Sequence, residues 1–144
     1  MADHCLRRVP MRRDDSGQAL VEFALVVPIF LLILFGIVEF ARAWNIYEVL
    51  TDAAREGARN AVVDNPLFED EDDVINLIVE AGQRASISID PGNVDITNFR
   101  EGRGTVATVR VEYQHELKWV TILWKLATGD RTITMVSEFS MRNE

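Results

Sequence analysis

Glu22 is a carboxylate set inside an apolar stretch, and its neighbours have the types and spacing to do chemistry with it. Gly17 and Gln18 stand just before it, and residues 23–38, sixteen in all, carry no charge. On insertion scales an acid at the centre of a membrane helix costs about 2.5–3.5 kcal/mol, and less near the interface. An acid in such a place is a functional hypothesis in its own right, and it needs a partner. Pro28 is the second oddity of the stretch. It lacks a backbone donor and clashes with the carbonyl of Ala24, which predicts a kink or local melting. Membrane helices tolerate this where neighbours cover the freed carbonyl.

The rest of the chain offers little chemistry. The histidines are His4 and His115. His115, between Gln114 and Glu116, reads as a surface residue of a strand rather than a ligand. The acid run Glu69, Asp70, Glu71, Asp72, Asp73 could suggest calcium, but the spaced ligands and central glycine of an EF-hand loop are missing. Acids at a helix N-terminus are favoured by the dipole by about 0.3–1 kcal/mol each, which accounts for the run. No nucleophile elbow, phosphate loop or metal-ligand spacing is present. An enzyme is unsupported, and neither cofactor nor metal is expected. Cys5 is the single cysteine, so packing must hold the fold without an intramolecular disulfide. The formal net charge of −8 and pI of about 4.8 argue against general basicity as a grip on nucleic acid or anionic lipid.

The elements that must position these residues follow from periodicity and charge. Arg7, Arg8, Arg12 and Arg13 precede the apolar run, and arginine beside a membrane helix favours the cytoplasmic side. Residues 1–17 therefore read as a basic leader held inside, with the remainder of the chain outside. Residues 23–38 give about 24 Å of helix, against a bilayer core of about 30 Å. Counted from Ala19, with Glu22 inside it, the segment just spans. From Glu39 to residue 63 the helix continues as an amphipathic one. Ala43, Ile46, Tyr47, Leu50, Ala54, Ala58, Ala61 and Val62 recur at helical spacing. The small residues Ala53, Ala54, Gly57, Ala58 and Ala61 fit either a core face packed on a sheet or close helix–helix contact between subunits. Asp64, Asn65 and Pro66 end the helix.

Beyond the acid run, Val74, Ile75, Leu77, Ile78 and Ala81 form a second, short helical stripe ending near Gly82. The period then changes to two. Residues 86–89 and 94–97 flank a turn at Pro91, Gly92 and Asn93. Residues 101–104 form another turn. Residues 105–113 alternate, with Ala107, Val109, Val111 and Tyr113 on one side and Thr108, Arg110 and Glu112 on the other. Residues 131–141 supply a last strand, with Ile133, Met135 and Phe139 inward. Residues 117–126, with tryptophans and flanking lysines, suit a lipid interface, a buried strand or a short helix equally. The predicted class is α+β: a long N-terminal membrane-spanning helix, a small helix and an antiparallel β-sheet domain. The segments are a leader over 1–17, a transmembrane helix over 18–38, its amphipathic continuation over 39–63, and an extracytoplasmic αβ domain over 64–144.

Gly17, followed by Gln-Ala-Leu-Val, Glu22-Phe23 and the apolar helix, resembles the type IV prepilin processing motif. The wider stretch, GQALVEFALVVPIFLLILFGIVEFARAW followed by TDAAREGARNA, resembles the TadE-like minor pilins or pseudopilins of tight-adherence, or Flp-type, systems. The ending, with Ser137, Ser140, Met141, Arg142 and Glu144, is similar too. The resemblance implies cleavage by a prepilin peptidase after Gly17, with Gln18 as the new first residue and Glu22 fifth. It implies that Glu22 and Pro28 serve assembly, that the ammonium created at Gln18 partners Glu22 within or between chains, and that other pilin or pseudopilin subunits are the partners. It implies the inner membrane as location, a single pass, and no nucleic acid, cofactor or catalysis. Two rival readings stay open. Ala41-Arg42-Ala43 fits a signal-peptidase site, which would release a secreted domain. Alternatively, an unprocessed single span anchors an extracytoplasmic binding domain unrelated to pili.

Overall fold

The computed structural model describes residues 15–118, 121, 124, 125 and 129–143. The leader arginines, His4, Cys5, Trp119 and Glu144 lie outside the described residues, as does half of the stretch expected to suit a lipid interface. One helix, α1, runs from Asp15–Val62, 48 residues with Pro28 inside it. It covers both the apolar and the amphipathic stretches, as the missing stop signal between them predicts. The helix is unbroken at Pro28, so the local melting expected there does not occur. One lost donor is a small fraction of so long a ladder.

The chain divides into two units, one ending at Leu34 and one beginning at Phe35. In the first, the large apolar side chains from Leu20 to Leu34 are exposed, with Val27 half-buried. The second contains the rest of α1, then α2 (Glu71–Arg84), a 3-10 turn at Pro91–Asn93, and three strands: β1 (Val94–Thr97), β2 (Val106–Glu116) and β3 (Thr132–Arg142). The strands form an antiparallel sheet in the order β1-β2-β3, with Val109 opposite both Ile96 and Phe139. The architecture is α+β, as predicted.

The core of this unit collects Leu50, Ala54 and Ala58 of α1, Val74 and Ile78 of α2, and Ala107, Val109 and Val111 of β2, all but sealed from solvent. The alternation in β2 thus buries the face it predicts. The small residues Ala53, Ala54, Gly57, Ala58 and Ala61 are buried here. A Cβ on Gly57 would stand 2.7 Å from Ile78 Cδ1 and 3.4 Å from Val109 Cγ1, so three elements meet at that position. The small-residue face is therefore core, and the alternative of contact between subunits through it falls. Tyr47, expected in the same stripe, is instead 45% exposed. Its spacing from Ile46 puts it past the edge of a stripe whose centre is Leu50.

Acids open α2 as expected. The Asp73 carboxylate accepts from the backbone N–H groups of Glu69 at 2.9 Å and Asp70 at 3.3 Å. These bonds and the helix dipole both favour carboxylates at this end. The far end corrects the reading of 86–89 as a strand. Ile87 N–H donates to Gly82 O and Ser86 N–H to Gln83 O, both at 2.9 Å, with Ser86 at φ 61°. This pair of bonds is a Schellman motif. It commits the donors that a ladder would need, and Ile87 and Ile89 plug the core instead. Gly82 is required there, since a Cβ would meet Ile89 Cδ1 at 2.7 Å and Ile87 O at 2.9 Å.

Arg100 closes the other end of the unit. Its N–H donates to Ala61 O at 3.1 Å, and its guanidinium donates to Asn65 O at 3.1 Å and to Phe68 O. A cation with donors to spare is favoured at the C-terminal end of a helix.

Candidate functional site

The residues singled out by spacing fall in the first unit of α1. Gly17 and Gln18 lie in its first turn, whose N–H groups have no intrahelical acceptor. Both are exposed, and a Cβ on Gly17 would meet nothing within 4 Å. Among the described residues nothing packs against residue 17 in a way that calls for glycine.

Glu22 is exposed as well, one turn further on. Its Oε1 accepts from Gln18 Nε2 at 3.1 Å. Helical side chains tilt toward the N-terminus, and residues four apart lie on one face. The carboxylate therefore reaches back over the turn that holds Gly17 and Gln18. The helix brings these three together. Pro28 lies further along α1 and is exposed, between half-buried Val27 and exposed Ile29.

A second polar cluster was missed by sequence reasoning. Glu39 is 3% exposed and His115 is 1% exposed. His115 Nε2 donates to Glu39 Oε1 at 3.1 Å, and the same oxygen accepts from Arg42 Nη1 at 3.0 Å and from Lys118 N at 3.4 Å. A carboxylate oxygen accepts only, which assigns the hydrogen to Nε2 of the histidine. The reading of His115 as a surface residue is therefore wrong. Its polar neighbours Gln114 and Glu116 suggested solvent, yet residues 107, 109, 111, 113 and 115 share one parity. Continued by one step, the alternation places His115 on the covered face. The partner Glu39, 76 positions away, gave no such signal.

An open cleft of about 510 Å³ adjoins this cluster, lined by Arg42, Asn45, Ser86, Tyr113, Gln114 and Lys118 among others. Among the described residues no group of three or more His, Cys, Asp or Glu side chains is placed to hold a metal ion. Within the acid run at the start of α2, the Asp73 carboxylate is engaged in capping. Asp130, before β3, has a displaced pKa. Backbone N–H groups of Arg131 and Thr132 hold its carboxyl below the ordinary aspartate value of 3.8.

Residues 17–62 of α1 make a helix long and apolar enough to cross a membrane. Residues 17–59 match the family model of TadE-like protein, the family whose resemblance the apolar stretch carries. The matched segment takes in Gly17, Glu22, Pro28 and Glu39, and leaves α2 and the sheet outside. No curated protein and no solved structure matches the chain.

Proposed function

We propose, with the TadE-like match over residues 17–59 as premise, that this chain is a minor pilin or pseudopilin-like subunit. In this reading it assists assembly of a tight-adherence pilus or secretion apparatus after a prepilin peptidase cuts between Gly17 and Gln18. Residues 18–38 hold it in the inner membrane in a single pass, with the basic leader cytoplasmic and residues 64–144 extracytoplasmic. Its role is structural rather than catalytic.

The arrangement at the head of α1 carries this reading. Gly17 sits in the least-held turn of the helix, with open space about its Cα and, among the described residues, no packing reason to be glycine. A peptidase with a narrow site beside the bond would supply the reason. Cutting there makes Gln18 N an ammonium, one turn from a carboxylate that already leans toward Gln18. A charge in hydrocarbon is tolerable beside an opposite charge and expensive alone. The exposed apolar side chains from Leu20 to Leu34 would be covered first by lipid and later by neighbouring subunits.

Intact mass of membrane-extracted protein tests the processing. The expected mass is that of residues 18–144, and Gly17→Val should abolish cutting while the protein remains in the membrane fraction. A full-length product in a host with the cognate peptidase would sink the proposal, and so would a chain starting at Trp44, the product of the signal-peptidase reading.

A further inference from the structure

Glu39 is the first charged residue after the apolar run, so at Glu39 the helix leaves the hydrocarbon. The bonds from His115 Nε2 and Lys118 N to Glu39 Oε1 hold the end of β2 at that same level. The chain just after β2 is thereby brought beside the exit point. Lys118 is exposed there, and Trp124 and Lys125, further along the chain, are exposed as well.

The other side of the helix carries a different set. Ile37, Phe40, Trp44 and Tyr47 follow one another at three- and four-residue spacing and are 61%, 68%, 55% and 45% exposed. The Phe40 and Trp44 rings lie 6.2 Å apart, and Trp44 and Tyr47 6.4 Å. Trp44 Nε1 donates to Glu48 Oε1 at 2.9 Å, so the ring offers an apolar body with its N–H satisfied on the side away from the run. The stripe continues the apolar segment in sequence and along the helix.

We propose that this aromatic stripe and the exposed residues after β2 form a collar that lies in the headgroup zone of the bilayer crossed by residues 23–38. The partner is a phospholipid surface. Tryptophan and tyrosine, apolar at one end and polar at the other, concentrate at that depth, and lysines there extend their ammonium groups to water. The burial of Glu39 removes the obstacle to it. With that carboxylate covered by His115, the outward face of the helix carries no charge before Glu48. Counted to Phe40 the apolar face is about 27 Å long, nearer to the ~30 Å of a bilayer core than residues 23–38 alone. The inference rests on anchoring by the apolar run and on neither processing nor filament assembly.

Depth-dependent fluorescence quenching tests it on the full chain in phosphatidylcholine vesicles. Trp119→Phe with Trp124→Phe leaves Trp44 as the sole tryptophan. Flotation of the vesicles first reports anchoring. Lipid brominated near the headgroup end of its chains should lower Trp44 emission roughly twofold, as for a ring at the interface. Bromine near the chain ends should lower it less. With Trp44→Phe added and Phe40→Trp as the new probe, about 6 Å deeper along the helix, the deeper bromine should gain effect relative to the shallower. Protein that floats with both probes unquenched by lipid, but quenched by aqueous acrylamide, overturns the collar alone. Probes shielded from both agents overturn it in favour of a second helix laid on the stripe. Protein that does not float overturns the anchoring, and the collar with it.

Discussion

Glu22 and Glu39 stand on one helix and meet opposite surroundings. Glu22 is exposed, and its side-chain partner is Gln18 on the same turn. Glu39 is buried, and its oxygen serves Arg42 on the helix and His115 and Lys118 from the far end of β2. Among the described residues, the first acid joins no other element to α1. The second closes the fold. The same division runs through the glycines. A Cβ on Gly17 or Gly36 would meet nothing within 4 Å, whereas one on Gly57 or Gly82 would meet atoms at 2.7 Å. Unusual residues in the exposed part of α1 therefore need an explanation from outside the chain. Those in the covered part find it in the adjacent sheet and helix. A lipid bilayer, a peptidase and neighbouring subunits are the outside agents of the function proposed above.

Substituting the two acids is the most direct way to break this comparison, and the largest effect is expected at Glu39. Glu39→Ala leaves His115 Nε2 buried without its acceptor. Leaving a buried donor without its acceptor costs about 1–3 kcal/mol, and the cavity left by the lost side chain adds to it, so a loss of about 3 kcal/mol is expected. Arg42, about a third exposed, can turn to water. Urea unfolding of the sheet, followed by circular dichroism on the full chain in detergent micelles, would measure it. Glu22→Ala should leave the same curve unmoved and should still be cut. Its defect should appear in filament assembly or secretion, because the partner of the new ammonium is gone. A Glu22→Ala protein that is cut and assembles at the wild-type level would refute the pairing role. Equal stability losses in the two mutants would erase the distinction between the acids.

The glycines give a smaller effect by the same logic. Gly82→Ala forces a methyl against Ile89 and the carbonyl of Ile87. Overpacking of this kind typically costs about 1–3 kcal/mol. Gly36→Ala should cost nothing, and helix propensity alone favours it by up to about 1 kcal/mol. The two unfolding midpoints should move in opposite directions or one should stay still. A loss at Gly36 as large as at Gly82 would mean that some element covers the helix near residue 36.

What could be read in advance follows from the range of the forces involved. The apolar run, the alternation of 105–113 and the acids before Val74 are local patterns, and α1, β2 and the start of α2 lie where they point. Gly17, Gln18 and Glu22 were legible for the same reason, being neighbours on one turn. The stretch 86–89 misled because Ser-Ile-Ser-Ile alternates like a strand, while the decisive bonds come from α2 carbonyls at Gly82 and Gln83. His115 misled because polar neighbours outweighed its parity. Its pairing with Glu39 joins positions 76 apart, and no local pattern reports such a contact. Arg100 was silent as well. Its role as a cap for the end of α1 depends on a left-handed backbone, φ 47°, that arginine rarely adopts.

Asp130 provides the finest test, because it is an exposed acid held by bonds to its neighbours in sequence. Its Oδ1 accepts from Arg131 N at 2.6 Å and from Thr132 Oγ1 at 3.3 Å at the entry to β3. These donors favour the ionised form, chiefly the backbone N–H of Arg131, and depress its pKa below 3.8 in the folded chain. In the unfolded chain the donors are lost and the ordinary value returns. A group depressed on folding stabilises the fold above its unfolded pKa, and that contribution disappears as pH falls through the folded value. Asp130→Asn should therefore lower the unfolding midpoint slightly at neutral pH. The gap between mutant and wild type should close as pH falls below 3.8. The effect must be the smallest of the three pairs of measurements, since solvent screens a fully exposed carboxylate. A gap that persists at low pH would show that the asparagine disturbs the turn itself. A gap as large as that of Glu39→Ala would show that local backbone bonds hold an acid as firmly as burial against β2 does, and the contrast between the two kinds of site would fail.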